Sequence, residues 1–519
     1  MSSLVSLVNA CLLPAYDGRI PPDWVKRALD QGLAGVGLFG TNLLPPGGPL
    51  RTDIVDPLRA VRPDALIALD EEGGDVTRLD YHRGSVYPGN HALGAVDDTA
   101  LTREVAEAVA DDLRDAGVNL CLGPCADVNS RPANPIIGVR SFGAAPGLVA
   151  RHTRAFVAGL QGRGVAATLK HFPGHGDTGT DSHSWLPDIP RPLDSLRALE
   201  LPPFAEGFAA GAKAVMTGHI RLPQVDDLPA TLSRRVVTGL LREEMGYEGV
   251  VISDALEMAP ILDRWGFGGA AVLAWSAGVD LVLLGATDGE KILPEVYEAV
   301  ERALATGELA RDRLEEAAAR IADLRAWAAP SAAVARTALD PVGVGLAAAR
   351  RALTGVGLPV LPRTGPVHVL RLVVGANLAV GEAPWGLAHS LERLGRLGSA
   401  TDVEPGTDHR RIPLPGDEGG DAGGDGRGGE HFGEDGRGGE HGYGPVVVVV
   451  RDAARDPWQQ ETLAALRARR PGLIAVEMGL TPVPAPTAPT LLTRGAGLAN
   501  AMAAAELLTG RLWAGPLRT

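Results

Sequence analysis

Lysine and cysteine are scarce in this 519-residue chain, and each scarcity excludes something. Only Lys26, Lys170, Lys213 and Lys291 carry an ammonium group; the other basic residues are arginines, and acidic residues outnumber basic ones to leave a net charge of −14. So acidic a chain lacks the bulk positive charge that holds nucleic acid or an anionic membrane. Three cysteines, Cys11, Cys121 and Cys125, cannot build a disulfide framework. Cys121 and Cys125 lie in the apolar stretch Asn119-Leu-Cys-Leu-Gly-Pro-Cys125, which reads as a buried strand and not as a metal-ligand pair. No apolar run reaches the roughly 20 residues needed to span a bilayer. The apolar N-terminal stretch from Leu4 has no basic residue before it, as a secretory signal would have. The expectation is a soluble, cytoplasmic protein with neither a nucleic-acid nor a membrane partner.

What is abundant is apolar sequence, 45% of the chain, in a length that calls for two or three domains. Residues 1–330 alternate short apolar runs with longer Ala/Leu/Arg-rich stretches. The runs near 5–14, 34–40, 64–70, 118–124, 165–171, 212–219, 249–254 and 279–285 read as eight strands, with helix-compatible segments between most of them. Eight β–α units of this length predict an α/β fold, an N-terminal (β/α)8 TIM barrel. An Ala/Pro/Ser-rich stretch at 331–345 reads as a linker. Residues 346–519 read as a smaller α/β sandwich domain, with strand-like runs at Val367–Val374 and Val446–Val450. Within it, about 415–444, Asp425-Gly-Arg-Gly-Gly-Glu-His431 recurs as Asp435-Gly-Arg-Gly-Gly-Glu-His441. A stretch with so little to bury is expected to be disordered.

The polar residues concentrate where the strands end. Asp70 closes Ala65–Asp70, Lys170 and His171 close the run after Gly164, His219 closes Ala214–His219, and Asp254 closes Val250–Asp254. In a barrel these ends form the catalytic face. The densest cluster is Lys170-His-Phe-Pro-Gly-His-Gly-Asp-Thr-Gly-Thr-Asp-Ser-His183, with one lysine, three histidines and two aspartates in fourteen residues. Asp181 lies two residues before His183, so its carboxylate can orient the ring and raise its basicity. No activated Ser or Cys stands nearby, so the imidazole is read as a proton carrier. Asp254 is then a nucleophile or an electrostatic partner, which is the logic of retaining glycoside cleavage. His171, His175 and Asp177 could instead hold a metal or be a loop stiffened by hydrogen bonds, and His219 could be a core histidine. The hydrogen-bonded loop is the preferred reading, so no metal and no cofactor are expected.

Taken together, these segments resemble the β-N-acetylglucosaminidase branch of glycoside hydrolase family 3. The similarity runs through Gly37–Asn42, Ile67-Ala-Leu-Asp-Glu-Glu-Gly-Gly74 with Arg78, Gly123–Val128 and Asn134–Gly143. It continues through Lys170–Thr178 with Asp181-Ser-His183, Val215–His219, Pro229–Ser233 and Val251-Ile-Ser-Asp254. The resemblance implies a retaining exo-β-N-acetylhexosaminidase acting on cell-wall fragments or related amino sugars. It implies Asp254 as nucleophile, His183 as general acid/base assisted by Asp181, and Asp70, Arg78, Arg140, Lys170, His171 and His219 around a small carbohydrate substrate. Phosphorolysis, β-glucosidase activity and a metal-dependent barrel hydrolase are the alternatives. Two departures stand out. Glu71-Glu-Gly-Gly-Asp75 replaces the usual Gln-Glu-Gly-Gly-Arg, a reversed charge expected near the sugar, and Asp254-Ala255 replaces Asp-Asp.

Overall fold

A computed structural model describes residues 2–43, 50–180, 185–286, 288–329, 340–359, 365–375, 380–381, 383–414, 444–482 and 486–515. The first 285 residues contain eight short strands: β1 (Leu12–Pro14), β2 (Gly35–Leu38), β3 (Leu66–Leu69), β4 (Leu120–Cys121), β5 (Ala166–Phe172), β6 (Ala214–Thr217), β7 (Val250–Ile252) and β8 (Val282–Gly285). Strands β2 to β7 pair in parallel and in sequence order, and β1 pairs with β8. A bridge between Ile252 and Leu281 joins β7 to β8, and the Ala34 amide donates to the Asn9 carbonyl at 3.0 Å beside β1 and β2. The curled sheet is thereby closed into a barrel. Every residue of the eight strands is buried, which is why they read as continuous apolar runs without alternation.

One sequence expectation changes here. The run at 5–14 splits into a helix, Ser2–Asn9, and the three-residue strand β1. Leu4, Leu7 and Val8 recur at helical spacing and pack on the core, and periodicity alone cannot separate a short apolar helix from a buried strand.

The second sheet contains β9 (Thr354–Val356), β10 (Val367–Leu372), β11 (Leu397–Val403), β12 (Val446–Val450), β13 (Ile474–Glu477) and β14 (Thr490–Leu492), in the order β11-β10-β12-β13-β14-β9. All pairs are parallel except β14–β9. The valine run of β12 lies at the centre. Val447 and Val449 face the apolar cluster that also contains the barrel core, while Val446, Val448 and Val450 face a separate cluster with Leu370 and Leu372. This two-residue period gives a sheet covered on both sides.

The stretch expected as a linker is part helix. Residues 330–339 lie outside the described residues, but Pro341–Ala352 is helical and packs on the barrel. A side chain at Gly345 would meet the Val86 carbonyl oxygen at 1.9 Å, so only glycine permits this approach. Arg351 of the same helix pairs with Asp98 of the barrel at 2.9 Å, and Arg350 with Glu506 of the second domain at 2.6 Å. The repeat-bearing insertion lies almost wholly at 415–443, outside the described residues. Among the described residues no helix is long and apolar enough to cross a membrane.

Candidate active site

A cavity of about 310 Å³ opens at the C-terminal ends of the barrel strands. Asp70, Arg78, Arg140, Lys170, His171 and Asp254 all line it, although they are spread over 185 positions of sequence. Parallel strands closed in a barrel bring their ends to one rim, which is the reason for the convergence.

The floor is a buried ionic network. Lys170 Nζ donates to Asp70 Oδ1 at 2.7 Å and lies 2.8 Å from Glu72 Oε1. Arg140 grips Glu72 with two parallel bonds, Nε to Oε2 at 3.0 Å and Nη2 to Oε1 at 2.8 Å. Burial resists ionisation of Glu72, but Arg140 and Lys170 overcome it and hold its carboxyl down at about 2. Burial also works against the two cations, and their carboxylate neighbours still raise both above their ordinary values. A bidentate, desolvated pair of this kind fixes geometry and charge together, and removing one partner strands the other.

Behind the floor Asp127, fully buried in the segment that follows β4, organises the next loop. Its Oδ2 accepts from His171 Nδ1 at 2.8 Å, and its Oδ1 accepts the backbone N–H groups of His171 (3.1 Å) and His175 (2.7 Å). Burial opposes ionisation of Asp127, yet the neighbouring His171 holds its carboxyl well below the usual range. With Nδ1–H committed to Asp127, His171 turns Nε2 toward Arg140 Nη2, 3.5 Å away. Asn134 ties the loop from the other side, its Nδ2 donating to the carbonyls of His175 (2.8 Å) and Gly176 (3.1 Å). A side chain at Gly176 would overlap the Val128 carbonyl at 1.6 Å, so the loop packs backbone against backbone. The loop's continuation carries Asp181 and His183, which lie outside the described residues.

Asp254 follows β7 directly. Its amide donates to the Thr217 carbonyl at 3.1 Å, and its Oδ1 accepts from the Ala255 amide at 2.8 Å. His219 does not line the cavity. It is fully buried behind the Asp254 loop, with Nε2 donating to the Ala255 carbonyl at 3.0 Å and Nδ1 facing the Thr231 hydroxyl at 2.9 Å. It fits the core-histidine reading and supports the backbone beside Asp254. Arg78 is at the rim. Its guanidinium donates to the Val380 carbonyl of the second domain at 3.3 Å and sits 5.8 Å over the Tyr81 ring.

The metal reading of His171, His175 and Asp177 meets competing bonds. Asp177 is paired with Arg191, and His175 Nδ1 is 2.7 Å from Thr178 Oγ1. Burial lowers His175 to about 4, so it stays neutral. Among the described residues, the Cys125 thiol, Asp127 and His171 come close enough to share an ion. Burial raises the Cys125 thiol well above its ordinary value, whereas a metal needs the thiolate. Its Sγ–H instead donates to Asp127 Oδ2 at 3.2 Å.

The reversed charge at Asp75, expected near the sugar, does not line the cavity. Its Oδ1 accepts from the Ala496 amide at 2.7 Å, and its carboxylate pairs with Arg451, both in the second domain. Its neighbour Glu71 is buried, and burial pushes its carboxyl up to about 7. One oxygen, Oε2, already accepts from the Thr77 hydroxyl and the Arg78 and Leu79 amides at 2.9–3.0 Å. A carboxyl that titrates higher folded than unfolded stabilises the fold fully below its unfolded value of 4.5 and loses that contribution as pH rises toward 7. The ceiling is roughly 3 kcal/mol. Glu71→Gln, the residue usual in the resembling family, is therefore expected to raise the unfolding temperature at pH 8 by a few degrees. It should leave the temperature at pH 4.5 nearly unchanged, as read by thermal denaturation across pH. Equal shifts at both pH values would remove titration of Glu71 as the cause.

Sequence reading gave no individual role to Asp127, Glu72 or Glu257, the last two of which border the cavity. Asp127 carried the same signal as Asp70 and Asp254, a carboxylate just past an apolar run.

A family model, the glycosyl hydrolase family 3 N-terminal domain, matches residues 25–324. The chain belongs to glycoside hydrolase family 3. It is 36% identical over 280 residues to "Beta-hexosaminidase A" of Pseudoalteromonas piscicida, an alignment covering 50% of this chain and 47% of that protein. The chain thus spans about half the length of that relative. It is 38% identical over 271 residues to "Beta-hexosaminidase" of Xanthomonas oryzae pv. oryzae (strain MAFF 311018), covering 50% of this chain and 78% of that one. A solved glycoside hydrolase family 3 β-N-acetylglucosaminidase from Paenibacillus sp. str. FPU-7 superimposes with a TM-score of 0.81 at 31% identity, covering 98% of this chain and 97% of the other. That likeness extends over both domains.

Proposed function

We propose that this family 3 glycoside hydrolase is a retaining, exo-acting β-N-acetylhexosaminidase that removes terminal β-linked N-acetylglucosamine from cell-wall fragments or related amino sugars in the cytoplasm. The observation that carries the reading is the pairing of Asp254 with the Lys170–Asp70–Glu72–Arg140 network in one strand-end cavity. The names of the relatives point the same way. About 310 Å³ is near the lower end of small-molecule pockets, a size suited to a single terminal sugar. Asp70 can accept from sugar hydroxyls, while Lys170 and Arg140 can donate to hydroxyls or an N-acetyl carbonyl. Arg78 and His171 border the same ring.

In this reaction the Asp254 carboxylate attacks the anomeric carbon as the glycosidic bond breaks, and His183, oriented by Asp181, gives its proton to the departing oxygen. Water then attacks the glycosyl ester, giving its proton to His183 and releasing Asp254. The dyad supplies the proton transfers that a second carboxylic acid supplies in most glycosidases.

The test is release of 4-nitrophenol from the β-N-acetylglucosaminide and the β-glucoside, each with and without phosphate. Phosphate-independent turnover that prefers the N-acetylglucosaminide is expected. A strict need for phosphate would make the enzyme a phosphorylase, and preference for the glucoside would overturn the amino-sugar assignment.

A further inference from the structure

The family-model match stops at residue 324, yet the second domain reaches two loops of the site. After the central strand β12 the chain runs Arg451-Asp-Ala-Ala-Arg455 toward the barrel. Arg451 pairs with Asp75, whose side chain is buried, in the turn that begins at Glu72. That turn is closed by the Glu72 amide donating to the Val76 carbonyl at 3.0 Å. Arg455 donates to the backbone carbonyl of Asn134. Asn134 Oδ1 accepts the amides of Ile136 and Ile137 at 2.9 and 2.8 Å, and this loop leads to Arg140. Each arginine therefore holds the loop carrying one partner of the Glu72–Arg140 pair.

The two arginines are themselves fixed. Glu477, at the end of β13, is 2% exposed and accepts the amides of Asp452 (2.7 Å), Ala453 (3.0 Å) and Gly479 (2.7 Å). Asp452 in turn accepts the Leu480 amide at 2.8 Å and pairs with Arg455 at 2.6 Å. Arg451 lies 5.9 Å over the Trp385 ring. A segment pinned at so many points can transmit position.

We infer that the second domain is a positioning element of the sugar site, with Arg451 and Arg455 as positioning residues that clamp the Glu72 and Arg140 loops into register. The bidentate Glu72–Arg140 pair tolerates little displacement. The clamp explains the departure at Asp75, since the pair with Arg451 needs a carboxylate there. Its catalytic consequence rests on the sugar-site reading above; its mechanical part does not.

The test uses the full chain with Arg455→Ala, Arg451→Ala, the double variant and Arg455→Lys. Two readouts are taken: kcat and KM on whichever aryl glycoside the wild type turns over, and hydrogen exchange of peptides covering 72–80 and 131–143. Each alanine variant is expected to lose kcat/KM on the order of 10- to 100-fold, the cost of misplacing a site by about 1 Å. Most of the loss should appear in KM, with faster exchange in its own loop and normal exchange in β8. The double variant should lose less than the product of the singles, because both act on one ion pair. Arg455→Lys, which keeps one donor for the Asn134 carbonyl, should recover part of the loss. Should Arg451→Ala fail to fold, Asp75→Asn breaks the same pair from the barrel side. Wild-type kinetic constants and wild-type loop exchange in variants that melt earlier would make the contacts merely structural and overturn the clamp. Absence of turnover by the wild type would overturn the functional reading and leave the clamp to be decided by exchange.

Discussion

Asp254→Ala and Asp254→Asn should abolish turnover while the protein remains folded. Asp254 lies just past β7 beside the ionic floor, where its Oδ1 accepts from the Ala255 amide and its own amide donates to the Thr217 carbonyl. The asparagine variant keeps the shape and an acceptor oxygen but cannot form the glycosyl ester. Removing a covalent nucleophile costs on the order of 10⁵-fold or more. A 2-fluoro or 5-fluoro glycosyl donor should inactivate the wild type and label this residue, as read by mass spectrometry of the peptide spanning Val250–Met258. A label on another carboxylate, Glu257 included, would reassign the nucleophile.

His183→Ala should damage poor leaving groups far more than good ones. A sugar alkoxide needs a proton as it departs, whereas 4-nitrophenolate hardly does. The loss on a disaccharide should be on the order of 10²–10⁴-fold, the usual contribution of general acid catalysis. On the aryl glycoside, deglycosylation should become limiting, because the same imidazole must deprotonate water. Azide needs no base, so it should restore turnover and yield the β-glycosyl azide. Asp181→Asn should give a milder version, since the ring remains but its tautomer and basicity are no longer held. Equal loss on both substrates with no azide effect would mean that His183 binds or supports and that another group carries the proton.

How much of the site could be read before the structure depends on the kind of signal each residue carried. Asp70, Lys170, His171 and Asp254 each end an apolar run, and such runs become buried parallel strands because nothing polar interrupts them. Arg78 and Arg140 lie in loops, and the family resemblance pointed to them where periodicity could not. His219 also ends an apolar run, yet it points behind the site, because strand-end position alone does not decide which way a turning backbone aims its side chain. Asp75 was misplaced for a related reason. A charge change beside a site motif suggested a change at the sugar, but the turn at Gly73 and Gly74 sends this carboxylate to Arg451, 376 positions away.

By itself, then, the amino-acid order determined the buried strands β2 to β8, the rim on which their polar ends meet and the central valine strand of the second sheet. These follow from local burial and the lack of polar interruption, which a linear pattern records. Only the tertiary structure decided that Glu72 binds both Arg140 and Lys170, that Asp127 orients His171, and that Arg451 and Arg455 reach the barrel loops. Those pairings depend on closing the barrel and packing a second domain onto its rim. Charges far apart in the chain are brought within 3 Å in surroundings too dry for either to remain alone.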